Sequence, residues 1–167
     1  LYSPTVRLDD VDRKLLDLLQ TNARLSNAEL ARFVGLTLST VHERVKKLER
    51  KGLISGYVAR VDPEKLGKGL LSFMRLSFGT MPNESIGMVR KRVAELCAQE
   101  PDILECHGVA GEECFVLKLR ASSPRELEDL IARVRGCAQS TRSVTNIVLS
   151  TYKESAAIAP ADESVEE

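Results

Sequence analysis

Five cations, Arg44, Lys46, Lys47, Arg50 and Lys51, fall within residues 44–51 of a chain whose Lys+Arg and Asp+Glu counts are equal at 24. Ahead of them stand Ser39, Thr40, His42 and Glu43, side chains that donate or accept hydrogen bonds. Groups of that kind reach base edges, while Lys and Arg neutralise phosphates, so the segment has the chemistry of a nucleic-acid contact. A second concentration of reactive types lies further on, where Cys106, His107 and Cys114 flank the glycines Gly108 and Gly111. Thiols and an imidazole at that spacing suit a metal site, a redox site, or plain packing.

The cationic segment must ride on a helix. Leu38, Val41, Val45 and Leu48 recur at intervals of 3, 4 and 3, which makes one apolar stripe. Ser39, Thr40, Glu43, Lys46, Lys47, Arg50 and Lys51 then face away from it, with His42 and Arg44 on the flanks. Thr37 is the expected N-cap. Before it, Ser26 and Glu29 form a capping-box pattern that starts another helix, followed by Leu30, Ala31, Phe33 and Val34, and Gly35 allows a tight turn between the two. An earlier helix opens at Asp9 or Asp10 and carries Val11, Leu15, Leu18 and Leu19 inward. A short helix, a glycine turn and a helix with a polar tip and a cationic tail make a helix-turn-helix pattern.

In that pattern Ser39, Thr40 and Glu43 are the candidates for base contact, and Arg44, Lys46, Lys47 and Arg50 for phosphate contact. Glu43 could instead pair with Lys46 or Lys47. His42 reaches a phosphate or packs. Ser26 and Asn27 add the helix-start amides that favour anions. After Gly52, LISGYVARVD reads as an extended wing, an exit strand, or both.

Charge is divided along the chain. Residues 1–61 hold 11 Lys+Arg against 7 Asp+Glu, and residues 62–167 hold 13 against 17. The front part favours a polyanion, double-stranded DNA, and the back part does not. Asp62-Pro63 and two glycines at 62–69 mark the junction. Beyond it the pattern is strand 69–79, helix 84–98, strands ILECHGV and CFVLKLRA, helix 123–136 and strand 143–154, the order β-α-β-β-α-β of a ferredoxin-like sandwich. Two helices cover one face of such a sheet. The other face carries apolar residues, so a second copy of the chain is the expected cover, giving a homodimer that presents two recognition helices. SAAIAPADESVEE reads as a disordered tail. No apolar run is long enough to span a membrane, no signal-peptide core stands at the N-terminus, and the expected location is cytoplasmic.

Residues 8–67 resemble the DNA-binding half of the Lrp/AsnC (feast/famine) transcriptional regulators. The likeness lies in the Asp-x-x-Asp opening, Arg24 and Ser26, Leu30-Ala31, Val34-Gly35-Leu36, Arg44, Leu48-Glu49, Gly52, Ile54 and Gly56-Tyr57. The later module, with Thr145-Asn146-Ile147-Val148-Leu149, is similar to that family's amino-acid-sensing domain. The resemblance implies an α+β chain: a winged helix-turn-helix DNA-binding domain over 1–61, a linker over 62–68, a ferredoxin-like effector-sensing and oligomerisation domain over 69–154, and the tail 155–167. It implies a homodimer that assembles further, often into a homo-octamer, and an effector, usually an amino acid, bound near the hairpin CHGVAGEECFVLKL. Gly108, Gly111, Glu112, Glu113 and Cys114 are the effector candidates on that basis. Family members commonly carry an aspartate where Cys114 stands, and the cysteine removes a carboxylate that could hold an amino group.

With a turn at Gly111-Glu112, Cys114 pairs with Val109 and Cys106 with Leu117, so these two thiols do not face each other. That favours packing over a metal or redox site, and no cofactor or metal is expected. An enzyme is the rival class, and a thiol enzyme built on Cys114 and His107 its best version. With two histidines, no phosphate-cradling glycine loop and no nucleophile beside an evident base, the chain reads as a regulator, not an enzyme. The alternative within DNA binding is an effector-independent, nucleoid-type architectural protein.

Overall fold

The structure, a computed structural model, describes residues 6–78, 85–111, 114–138 and 142–160. The chain divides into two compact units, Val61–Tyr152 and a unit made of what precedes it together with the chain from Lys153.

The first unit holds α1 (Asp10–Thr21), α2 (Asn27–Val34) and α3 (Leu38–Arg50). Each start is fixed by a side-chain oxygen. Asp9 Oδ1 accepts from the Asp12 amide at 2.8 Å, Ser26 and Glu29 close a capping box, and Thr37 Oγ1 accepts from the Thr40 amide at 3.3 Å. Gly35 ends α2 with φ 67°, a left-handed conformation that a Cβ would strain. Leu15, Leu16, Leu19, Leu30, Val41, Val45 and Leu48 form the shared core.

Burial departs from the expected stripes at several positions. On α1 the fully buried residues are Asp12, Leu15, Leu16 and Leu19, while Val11 and Leu18, expected inward, are partly buried against the same cluster. A buried carboxylate sits there because a cation from α3 reaches it. Leu38, placed on the apolar stripe of α3, is 56% exposed, and Phe33 on α2 is 59% exposed; the two flank the turn between the helices. After α3, the Leu53 and Ile54 amides bond to the Leu48 carbonyl, and residues 55–62 join no ladder. The segment from 155 was expected to be disordered. Residues 155–160 carry no helix or strand, yet Gln20 grips Ile158 twice: Ile158 N–H donates to Gln20 Oε1 at 2.7 Å and Gln20 Nε2 donates to the Ile158 carbonyl at 3.0 Å.

The second unit is β1 (Leu70–Ser77), α4 (Ile86–Gln99), β2 (Ile103–Gly108), β3 (Phe115–Ala121), α5 (Pro124–Ala138) and β4 (Arg142–Ile147). The sheet order is β2-β3-β1-β4 with every pair antiparallel, the ferredoxin-like arrangement expected from the element order. Met74 and Leu76 of β1 and Leu117 and Leu119 of β3 turn to one face, where Val89, Val93, Leu130 and Val134 of the helices meet them. On the opposite face Phe73 stands across from Lys118 and Asn146, and Arg75 across from Val116 and Val144. β4 stops at Ile147 rather than running to 154. Among the described residues its ladder partner is β1, and beyond the ladder the Val148 amide bonds to the Leu71 carbonyl, one residue from the end of that strand.

The turn before β1 is pinned by charge. Lys68 Nζ donates to Asp102 at 2.9 Å and to Glu126 at 2.5 Å, and Glu126 also accepts from the hydroxyl and amide of Ser122. Lys68 first, then Ser122, hold the Glu126 carboxyl down to about 2, well below its ordinary 4.5. A depressed carboxyl contributes stability that is fully present above its unfolded value and is lost as pH falls through the folded one. The stability gap between wild type and Glu126→Gln in urea titrations should therefore be constant above about pH 5 and close between pH 4.5 and about 2. An unchanged gap across that window would mean that Glu126 does not ionise against Lys68.

Candidate nucleic-acid interface

α3 presents one exposed face and holds one buried one. Val41, Val45 and Leu48 are buried, while Ser39, Thr40, His42, Glu43, Lys46, Lys47 and Arg50 are exposed. At its tip the Thr37 hydroxyl meets the hydroxyls of Ser39 at 3.1 Å and Thr40 at 2.8 Å, so three hydroxyls cluster over the first turn. Each keeps capacity for an outside partner, because a hydroxyl is one donor and two acceptors.

The cations divide into paired and unpaired. Lys46 Nζ lies 3.1 Å from Glu49 Oε2, and Tyr57 donates its hydroxyl to Glu49 Oε1 at 3.0 Å. Lys46, then Tyr57, hold the Glu49 carboxyl below its usual range. Lys46 thus turns to Glu49 and not to Glu43, which removes one of the pairings open to Glu43 in the sequence. Among the described residues Lys47 and Arg50 have no carboxylate partner.

Arg44, placed by the sequence with the phosphate contacts, also has a role inside the unit: its Nη1 lies 2.6 Å from Asp9 Oδ2 and 2.8 Å from Asp12 Oδ1. The Asp12 side chain is only 7% exposed, and burial of a carboxylate requires a partner of this kind. The two carboxylates raise the Arg44 guanidinium above its ordinary value, and the Asp12 amide, then Arg44, lower Asp9. Arg44 therefore ties α3 to the start of α1.

Asn27, at the start of α2, donates from Nδ2 to His42 Nδ1 at 3.1 Å, which leaves the imidazole proton on the outer nitrogen. Ser26 is occupied by its capping box with Glu29. His42, Lys46, Glu49 and Tyr57 line a cleft of about 260 Å³ with Asn27 and Leu30.

The hairpin of the second unit places the effector candidates as follows. Gly108 closes β2 opposite Phe115, Gly111 has φ 144°, and the Val109 amide bonds to the Cys114 carbonyl at 3.1 Å. Cys106 stands opposite Leu117, as the turn reading requires. The Cys114 amide bonds to the Leu76 carbonyl at 2.7 Å, and its side chain packs on the core. Glu112 and Glu113 lie outside the described residues. Sequence reasoning missed that Cys97 on α4 and Cys106 on β2 pack against one core cluster. No periodicity or spacing signals it.

A capped three-helix unit with a polar-tipped cationic helix, followed by a ferredoxin-like unit, defines a helix-turn-helix DNA-binding protein with an appended regulatory module. Residues 8–55 match the family described as winged helix-turn-helix DNA-binding, and residues 86–158 match the Lrp/AsnC ligand binding domain. The HTH-type transcriptional regulator LrpA of Mycobacterium tuberculosis is 37% identical over 145 residues, covering 87% of this chain and 92% of that one. A feast or famine regulatory protein of M. tuberculosis complexed with L-methionine aligns with TM-score 0.81 at 35% identity, over 92% of this chain and all of that one. A Neisseria meningitidis transcriptional regulator in complex with L-Met aligns with TM-score 0.82 at 27% identity, over 91% and 96%. The chain belongs to the Lrp/AsnC family and is a DNA-binding transcriptional regulator of that type.

Replacing Arg44 by Met should cost about 1–3 kcal/mol in urea unfolding without DNA, because it strands the buried Asp12 carboxylate. Lys47→Met, on the exposed face, should stay within about 0.5 kcal/mol of wild type. Equal effects from the two would remove the structural role assigned to Arg44.

Proposed function

We propose that the chain acts as a homodimer whose two α3 helices enter successive major grooves of double-stranded DNA, with an amino acid or related metabolite bound at the β2–β3 hairpin. The observation that carries the DNA part is the exposed face of α3, with its hydroxyl cluster at one end and Lys47 and Arg50 at the other. Ser39, Thr40 and Glu43 read bases. Lys46, Lys47, Arg50 and the outer nitrogen of His42 meet phosphates, with the amides at Ser26 and Asn27 beside them. Arg44 holds the helix in place and leaves the phosphate set.

Dimerisation is supported by the uncovered sheet face. Phe73 is 40% exposed there, among Val116 and Val144, and a large apolar side chain on a helix-free sheet face loses free energy in water. Further assembly, as an octamer for example, builds on that pair. The organisation that goes with this reading is 1–61 for DNA, 62–68 as linker and 69–154 for sensing and oligomerisation, in the cytoplasm. Among the described residues no helix is long and apolar enough to cross a membrane.

The effector reading is supported by the hairpin glycines Gly108 and Gly111, which leave backbone open to a ligand, and by the L-methionine complexes of two relatives. Cys114 packs inward, so the ammonium group of a ligand falls to Glu112 or Glu113. The same inward thiol favours the second reading, an architectural protein that binds DNA without an effector.

Two experiments bear on this. In binding titrations across salt, Lys47→Ala with Arg50→Ala should lower the slope of log K against log salt by about 1.8 for each recognition helix engaged, with similar loss on all sequences. A slope equal to wild type would place the DNA elsewhere. In thermal unfolding against each amino acid, a ligand at ~100 times its Kd should add about 2.7 kcal/mol. A shift from one amino acid or a related set identifies the effector, and none from any favours the architectural reading.

A further inference from the structure

The first turn of α3 holds a large apolar residue that the fold does not use. Leu38 is 56% exposed and stands outside the leucine-rich core of its unit, whose α3 members begin at Val41. Such a side chain left in water forgoes the free energy of burial. Single exposed leucines are common on protein surfaces and by themselves carry no message. Position separates this one from the rest. It is the first residue of α3, followed directly by Ser39 and Thr40, whose hydroxyls cluster with that of the Thr37 cap. The pairing of Arg44 with Asp9 and Asp12 holds the helix, and with it this first turn, in one orientation.

Residues at the N-terminal end of a recognition helix are the ones that meet base edges in the major groove. A leucine side chain has neither donor nor acceptor, so it reads no base by hydrogen bonds. The major-groove edges of the base pairs present one apolar group among them, the C5-methyl of thymine. Beside that methyl lies the thymine O4, an acceptor. A leucine next to hydroxyl donors therefore matches the edge of thymine better than that of any other base. On cytosine the methyl is absent and an amino donor replaces O4.

We propose that Leu38 selects thymine at one position of each half-site by covering its C5-methyl group. The inference rests on the reading that α3 enters the major groove, and it adds the chemical group by which the helix discriminates. A docked protein is the competing cover, because Phe33 is also exposed across the turn. The neighbours favour DNA. Ser39, Thr40, Lys47 and Arg50 are exposed on the same helix, and cations are depleted from the core of protein–protein interfaces but suit phosphates.

The experiment removes the methyl and nothing else. A duplex selected from a random pool by the full-length wild-type protein is remade with deoxyuridine for each thymidine in turn, and binding is titrated at fixed salt. One position in each half-site should weaken by about fourfold, the worth of one buried methyl. At that position Leu38→Ala should lose a similar factor on the thymine duplex and less than about twofold on the uracil one, since both changes remove the same contact. Leu38→Met keeps an apolar side chain and should retain the uracil penalty, as should Phe33→Ala. Leu38→Ala should unfold at the same urea concentration as wild type, because the side chain is exposed and alanine favours helices. A lower midpoint would make Leu38 a core residue and overturn the inference. So would a pool that yields no preferred duplex, no penalty at any thymine, or a penalty that Leu38→Ala leaves intact. The α3 reading itself fails on a different result, a salt slope unchanged by Lys47→Ala with Arg50→Ala.

Discussion

One guanidinium fixes the surface that the first unit offers to DNA. Arg44 spans from α3 to two carboxylates at the start of α1, and one of these, Asp12, is buried on the inner face of its helix. A carboxylate at that depth is tolerated only with its cation, so any rotation of α3 that freed Arg44 would strand a charge. The leucine core alone would permit several rotations, since apolar contacts are non-directional. Two short hydrogen bonds to one side chain are directional. They hold Ser39, Thr40, Lys47 and Arg50 outward, and the capping of α1 by Asp9 shares in the same network.

The second unit depends on an asymmetry of cover. α4 and α5 both pack on the face that carries Met74, Leu76, Leu117 and Leu119. The opposite face mixes Phe73, Val116 and Val144 with Arg75, Lys118 and Glu105, and Lys118 and Glu105 lie 3.3 Å apart. Apolar side chains interleaved with paired charges suit a face that is buried against a partner yet tolerates water beforehand. Purely apolar cover would aggregate, and purely charged cover would remain solvated. The composition of this face agrees with the proposed homodimer.

Much of this was legible locally. The caps at Asp9, Ser26 and Thr37 could be read because a side-chain oxygen bonds an amide two or three residues away, which is a property of sequence spacing. The register of Cys106 against Leu117 followed from the turn, as did the order of strands from the order of elements. What escaped was non-local. Arg44 meets carboxylates 32 and 35 positions earlier, a pairing that its cationic neighbours in sequence do not signal. Phe33 and Leu38 match the apolar period but lie beside the turn, where periodicity says nothing about cover. β4 is apolar past its end, yet a strand lasts only as long as its partner, and β1 runs out at Leu70. Cys97 and Cys106 share a core cluster through the packing of a helix on a strand, which no one-dimensional pattern records.

The same distinction changes the electrostatics of recognition. Counted in sequence, residues 44–51 carry five cations, and counterion release scales with the phosphates that cations neutralise. The structure withdraws Arg44 into its pair with Asp9 and Asp12, and engages Lys46 with Glu49. Lys46 can still exchange Glu49 for a phosphate, since exposed pairs are worth about 0–1 kcal/mol. Arg44 is held more firmly, because releasing it would leave the buried Asp12 carboxylate without its cation. The working charge of the helix is therefore smaller than its composition suggests, and it lies toward the C-terminal turns, at Lys47, Arg50 and Lys51. The tip is left to neutral hydroxyls, which contribute little to affinity for the phosphate backbone and can discriminate among bases. In the proposed reading, non-specific attraction falls to one end of the helix and sequence reading to the other.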